Sequence, residues 1–261
     1  VNDPSGEILA RRDGAVLTLT FNRPRARNAL TWNMYERLHE ACEEVDADPS
    51  IRVLVLRGAG GEAFVAGTDI AQFQAFRGAE DGLAYERGNE KYLGRLEQVR
   101  KPVIAQVEGP AVGGGFVITA VADLRIATPA ARFGAPIART LGNCLSMENY
   151  SRLVDLLGPS RVKELLFTAR LLDAAEARAL GFVHEIVPAA EIDARVAALA
   201  ARIAAHAPIT LEVTKEALRR VAARRMLTGG EDLIARTYAS ADFREGIAAF
   251  LEKRPARFRG I

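Results

Sequence analysis

Two short glycine-bearing segments are where this chain of 261 residues could meet a charged or polarised ligand. The first is Ala63-Phe64-Val65-Ala66-Gly67-Thr68-Asp69-Ile70, and the second is Gly109-Pro110-Ala111-Val112-Gly113-Gly114-Gly115. Each lies between an apolar run that reads as a strand and a stretch that reads as a helix. Such a turn leaves unpaired backbone N–H groups at a helix N-terminus, where the partial positive charge favours an anion or a developing oxyanion. Glycine suits the place, because a ligand must come close to the backbone and Gly accepts positive φ. Taken singly, Gly-Gly-Gly before a helix is more often a tight packing turn than a binding site. The glycines miss the G-x-G-x-x-G spacing of a dinucleotide fingerprint, and no Gly-Lys-Ser/Thr phosphate loop occurs in the sequence.

Other reactive residue types give weaker signals. His39, His184 and His206 share no ligand spacing with Cys42 or Cys144, so no metal site is expected. Cys144 has no histidine in a motif position to activate it and reads as a buried thiol. Arg219, Arg220, Arg224 and Arg225 read as an anion site or, more plainly, as a solvated helix face.

The elements that must hold the glycine turns alternate between strand and helix. Val16 to Phe21 alternates and is β-branched, the pattern of a strand. Thr31 is placed to cap a helix over Trp32 to Asp46. Ile51 to Arg57 and Val103 to Glu108 read as buried strands, the second ended by Gly109-Pro110. A helical stretch from about Asp69 to Val99 is interrupted near Gly78 to Gly82; Phe116 to Ala122 reads as a helix and Leu124 to Thr128 as a strand. This alternation predicts an α/β fold with strands buried on both faces. After Pro188 the character changes: Glu191 to Arg225 is Ala-rich and helical, broken at Ala207-Pro208, and Asp232 to Lys253 adds more helix. That stretch is expected to be a separate packing unit or an oligomerisation arm.

A formal net charge of +2 gives no global electrostatic case for nucleic acid or membrane binding. With no apolar run near the ~20 residues that span a bilayer and no hydrophobic leader, a cytoplasmic protein with free thiols is expected.

The two turns gain meaning from their company. Together with Asn22-Arg23-Pro24-Arg25-Ala26-Arg27-Asn28-Ala29-Leu30, Ala122-Asp123-Leu124-Arg125-Ile126-Ala127, Lys163 to Thr168, Ala179 to Val183 and Arg244 to Arg254, they resemble the crotonase superfamily, the enoyl-CoA hydratase/isomerase family. The resemblance covers nearly the whole chain. It implies a crotonase-type spiral of β-β-α units over residues 1–190 and a helical trimerisation region over 191–261, giving a homotrimer or a dimer of trimers. It also implies an acyl-CoA thioester as ligand, with coenzyme A a part of the substrate and no separate cofactor. By motif position the backbone amides of Thr68 and Gly114 would stabilise the thioester oxyanion. Ala66, Gly67, Asp69, Ile70, Gly113, Ile137 and Asn143 would contact the substrate, and Arg25 or Arg27 the CoA phosphates. Asp69 reads more as a helix cap than as a base.

The chain departs from the hydratase pattern at the proton-transfer positions. Where hydratases of the family carry two glutamates, this sequence has Val117, two residues after Gly115, and Ile137, after Phe133-Gly134-Ala135-Pro136. Neither can transfer a proton, and each lost acid or base is worth about 10²–10⁴-fold. Glu148 is the first replacement candidate, with Arg139, Asn143 and Ser146 as polar partners; the plainer reading makes Glu148 a first-turn acid on a helix capped by Ser146. Tyr85 or Glu86 could also reach in, although a solvated helix face is the default for that stretch. The readings that follow are an acyl-CoA isomerase, decarboxylase or thioester hydrolase, a non-catalytic acyl-CoA-binding or assembly protein, and a hydratase with relocated acids.

Overall fold

The computed structural model of the chain describes residues 5–223 and 229–260. Strands β1 (Ile8–Asp13) and β2 (Val16–Phe21) form an antiparallel hairpin, after which α1 (Trp32–Ala47) starts at Thr31, whose Oγ1 accepts from the Met34 amide at 3.2 Å. There follow β3 (Val53–Gly58), a 3₁₀ turn over Ile70–Ala75, α2 (Ala79–Glu97), β4 (Val103–Val107), β5 (Pro110–Val112) and α3 (Gly114–Val121). Next come β6 (Leu124–Ala127), β7 (Arg132–Gly134), α4 (Met147–Leu157), α5 (Pro159–Thr168), β8 (Leu172–Asp173), α6 (Ala174–Ala179) and β9 (Glu185–Ile186). The chain closes with α7 (Ile192–Ala204), α8 (Pro208–Ala223), α9 (Glu231–Ala239) and α10 (Ala241–Leu251).

The strands stack in two sheets, and their order is that of a spiral. The larger runs β1-β2-β3-β4-β6-β9, parallel from β2 onward; the smaller runs β5-β7-β8, with a bridge from Val65 to Ala111 extending it by one residue. Each turn therefore lays one strand in the large sheet, one short pairing in the small sheet, and then a helix: β3–Val65–α2, β4–β5–α3, β6–β7–α4. The expected α/β spiral of β-β-α units is present. β3 explains why its sequence is continuously apolar: Leu54 and Leu56 enter the main core, while Val53 and Val55 pack with Ile192, Val196 and Leu199 of α7 on the other face.

The helical break expected at Gly78 to Gly82 falls at its first residue, where Asp81 Oδ2 accepts from the Arg77 and Gly78 amides at 2.6 and 3.2 Å. Gly82 lies inside α2 because a Cβ there would stand 2.2 Å from Tyr238 Cγ. The helical stretch expected over Asp232 to Lys253 comprises α9 and α10, divided at Ser240, whose Oγ accepts from the Phe243 amide and caps α10.

The C-terminal helices do not behave alike. α7 covers the large sheet, α9 lies along α2, and α10 lies over the 3₁₀ turn. α8 buries none of its residues and leaves Ile209, Val213, Leu218 and Val221 exposed. On it, Arg219 and Arg220 both pair with Glu216, at 2.7 and 2.6 Å; Arg224 and Arg225 lie outside the described residues. Among the described residues no single helix is long and apolar enough to cross a membrane.

Candidate active site

The two glycine turns lie side by side. Val65 and β5 run parallel, tied by Phe64 N to Pro110 O at 3.0 Å and Val112 N to Val65 O at 2.9 Å. Their backbones approach so closely that a Cβ on Gly115 would stand 2.1 Å from Val65 O, and one on Gly113 (φ 55°) 3.6 Å from Gly67 Cα. Packing of this kind tolerates only glycine at Gly115.

The Asn22 to Leu30 segment braces the first turn. Buried Asn28 donates through Nδ2 to Ala59 O and Ala63 O at 3.0 and 2.9 Å and accepts from the Arg23 amide at 3.0 Å. Ala66 N donates to Arg27 O, Leu30 N to Gly67 O and Asp69 N to Leu30 O, so the chain before and after Thr68 is tied to the segment 27–30. Among the described residues the Thr68 amide has no protein acceptor. Nor has the Gly114 amide, which opens α3 as its first residue. Both Thr68 and Gly114 line a cavity of about 690 Å³.

That cavity gathers most of the expected site. Arg25 and Arg27, both exposed, stand with Ala66, Gly67, Asp69 and Ile70 on one part of its wall; Gly113, Val117, Ile137 and Asn143 stand on another. Val117 is 2% exposed and Ile137 half-buried, so the positions assigned by resemblance to the hydratase glutamates face the cavity as hydrocarbon. Asp69 caps the 3₁₀ turn, accepting from the Ala71 amide at 3.2 Å, and pairs with Arg23 at 2.9 Å. Its two oxygens are thus occupied, as a structural carboxylate's would be.

Glu148 is placed elsewhere. It sits in the first turn of α4 behind the Ser146 cap and lines a neighbouring cavity, not the one holding the Thr68 and Gly114 amides. Arg139 is exposed, and neither it nor Ser146 lines the Thr68 cavity. The physical reason is the helix start: Ser146 Oγ accepts from the Asn149 amide, which orients the first turn so that Asn149 rather than Glu148 turns inward. Burial pushes the Cys144 thiol up to about 11, so it stays protonated and unreactive near neutrality.

The default reading of the Tyr85–Glu86 stretch as a solvated face is overturned. Glu86 is 4% exposed, and Tyr85 is half-buried with its hydroxyl 3.0 Å from Thr68 Oγ1. Tyr35, unanticipated from sequence, places its hydroxyl 3.0 Å from the same Thr68 oxygen and under Gly114, where an added Cβ would meet it at 2.7 Å. Burial raises the Tyr35 phenol to about 12, so this hydroxyl cluster is neutral. Trp32 and Phe73 surround Tyr85, with ring centroids at 5.3 and 4.9 Å.

Behind the tyrosines lies the carboxylate. Tyr238 of α9 donates to Glu86 Oε1 at 2.7 Å, and Asn143 Nδ2 reaches the Tyr238 oxygen at 3.4 Å. Burial pushes the Glu86 carboxyl up to about 7; the Tyr238 hydrogen bond lowers it, and the charges of Glu148 and Glu90 raise it. Glu90, one turn along α2, is held instead by Arg152 at 2.6 Å, an arginine shared with Glu97 at 2.8 Å. The only sequence signal for these partners was the spacing of Glu86 and Glu90 on one helical face; Tyr238 is too far along the chain for any spacing to connect it.

The enoyl-CoA hydratase/isomerase family pattern matches residues 11–260. The chain belongs to that family. Relatives include a crotonyl-CoA hydratase of Syntrophomonas wolfei, 34% identical over 256 residues that make up 96% of this chain and 97% of the relative. A putative enoyl-CoA hydratase of Thermus thermophilus is 36% identical over 251 residues, 94% of this chain and 98% of its own. Among solved structures, methylmalonyl-CoA decarboxylase in complex with 2-nitronate-propionyl-CoA is similar with a TM-score of 0.89 at 30% identity, covering 98% of this chain and 99% of that one.

Proposed function

We propose that this protein is an acyl-CoA enzyme that holds the thioester carbonyl oxygen between the amides of Thr68 and Gly114 and works through a thioester enolate. One observation carries the reading: two backbone amides without protein acceptors, on adjoining glycine turns, open into one cavity. Fixed dipoles of this kind stabilise charge that develops on an oxygen, because they need no reorganisation as it forms. The exposed Arg25 and Arg27 at the cavity's edge suit the phosphates of coenzyme A. Val117 and Ile137 argue against efficient water addition by the two-glutamate route, since hydration needs a proton acceptor for water and a donor for carbon.

Enolate formation by isomerisation or decarboxylation fits the apolar wall better. Decarboxylation has specific support: an apolar surface disfavours a substrate carboxylate relative to the enolate left behind, and the structurally similar methylmalonyl-CoA decarboxylase is bound to a nitronate acyl-CoA. The test is a panel of 2- and 3-enoyl-, malonyl- and methylmalonyl-CoA, with isothermal calorimetry on acetyl- and butyryl-CoA. Saturable binding and turnover of a 3-enoyl- or malonyl-type substrate in preference to crotonyl-CoA hydration is expected. Binding without any turnover would make the protein an acyl-CoA binder, and absence of binding would end the acyl-CoA reading. The exposed apolar side chains of α8 support assembly with further copies, for which a homotrimer or dimer of trimers is the proposal; sedimentation analysis decides it.

A further inference from the structure

Enolate chemistry needs a group that moves a proton, and Val117 and Ile137 supply none. One carboxylate stands in the cavity wall without a guanidinium to neutralise it. Glu86 lines the cavity that receives the Thr68 and Gly114 amides, whereas Glu90 lies against Arg152. Its hydrogen bond is to a neutral donor, Tyr238, which leaves the carboxyl able to gain and lose a proton. A buried carboxylate used only to tie α2 to α9 would be better served by a neutral side chain, since burying a charge is costly.

We propose that Glu86 is the proton-transfer residue at the enolate carbon of the bound acyl-CoA and that Tyr238 is its positioning residue; this rests on the acyl-CoA reading of the cavity. In the forward step the Glu86 carboxylate takes a proton from the α-carbon. The C–H electron pair becomes the enolate C=C bond, and the thioester C=O π pair moves onto the oxygen between the two amides. In the reverse step the enolate pair takes the proton back from the Glu86 acid, at the α-carbon or, for an enoyl group, at the γ-carbon. The same acid quenches the enolate left by loss of CO₂. One such group is enough for these reactions and one short for hydration.

The geometry also ties the acid to the C-terminal helices. Tyr238 reaches Glu86 only because Gly82 leaves space for its ring, and Phe243 packs against that ring at 4.6 Å. The groups whose charge or dipole bears on Glu86 are Tyr238 from α9, Glu148 and Tyr150 from α4, Cys144 from the loop before α4, Tyr35 from α1, and Tyr85 and Glu90 on α2 itself. Burial raises the four tyrosines and Cys144, which stay neutral near pH 7, so a single pH limb near that of Glu86 is expected.

The measurement is exchange of α-protons for deuterium in acetyl-, butyryl- and octanoyl-CoA, followed by NMR in D₂O, beside calorimetric binding of the same thioesters. Glu86→Gln is expected to slow exchange about 10²-fold or more while leaving the Kd within a few-fold. Glu86→Asp keeps a carboxylate and should lose less. Tyr238→Phe removes a hydrogen bond that favours the ionised form, so the pH midpoint of exchange should move upward with the plateau rate partly retained. Glu86→Gln exchanging at the wild-type rate overturns the proposal, and so does wild-type protein that binds the thioesters but exchanges none of them. An unmoved midpoint in Tyr238→Phe removes Tyr238 from the role. Wild-type protein that binds no thioester defeats instead the acyl-CoA reading beneath it.

Discussion

One part of the cavity wall, formed by α3 and the segment after β7, presents Val117 and Ile137; another, formed by α1 and α2, presents Tyr35, Tyr85 and Glu86, with Tyr238 of α9 behind them. The contrast follows from how each part is packed. α3 is buried from Gly115 to Val121, so its side chains answer first to the core. α2 is amphipathic, with Leu83, Glu86, Asn89 and Leu93 buried along one face, and it can carry a polar residue inward because α9 supplies a hydroxyl partner. The two amides lie on backbone turns, while the polar side chains around them stand on helices whose contacts are set by tertiary packing.

The contrast breaks first at the amides. Gly114→Pro removes one donor at a helix position that tolerates proline, and pairing it with Tyr35→Phe clears the hydroxyl a Cβ would meet at 2.7 Å. Turnover of the best acyl-CoA should fall about 10²–10³-fold relative to Tyr35→Phe alone, with circular dichroism unchanged. Equal rates in the two variants would mean the amide does not hold the oxyanion.

The polar wall is tested next through stability. Glu86 binds its proton more tightly in the folded chain, about 7 against 4.5 for an unburied glutamate. Its contribution is therefore fully present below pH 4.5 and is lost as pH rises through about 7, a change of about 3 kcal/mol. Glu86→Gln should match wild type near pH 4.5 and gain on it progressively up to pH 7–8 in chemical denaturation. A constant difference across that window would show that Glu86 ionises freely in the fold.

A carboxylate placed on the apolar wall sharpens the comparison from the other side. Val117→Glu should raise crotonyl-CoA hydration by about 10²-fold, because it supplies the second proton-transfer group. No gain would mean that the apolar wall is not what limits water addition.

Two smaller effects separate backbone from side chain. Thr68→Val leaves the amide and removes the hydroxyl shared by Tyr35 and Tyr85, so stability should fall by about 1–3 kcal/mol with turnover changed only a few-fold. A loss as large as that of Gly114→Pro would transfer the role to the hydroxyl. Arg25→Ala and Arg27→Ala should each raise KM only about two- to five-fold, and that difference should shrink in high salt, as for exposed charges. An effect that persists in high salt would point to a more enclosed phosphate contact.

Much of the frame was legible in the residues. Alternation placed β2, continuous apolarity placed β3 and β4, Thr31 placed the start of α1, and Ala207-Pro208 placed the break between α7 and α8. The short strands β5, β7, β8 and β9 were not, because two or three residues carry no periodicity and pair only once the spiral has closed. The site divided in the same way. Motif position picked out Thr68, Gly114, Val117 and Ile137, which line one cavity, whereas Glu148 was preferred over Glu86 because both sit on helices near the same segment. Sequence spacing does not say which way each helix turns.

The sequence by itself determined the family, the two glycine turns and the absence of a carboxylate at Val117 and Ile137, because these are local facts of residue type and spacing. Only the tertiary structure decided that Glu148 faces another cavity and that Glu86 is buried beside Tyr238, 152 residues away. The reason is physical. A glycine turn is dictated by its own backbone, but the protonation of a carboxyl depends on what distant segments leave around it, and here α9 closes over Gly82 to make that environment.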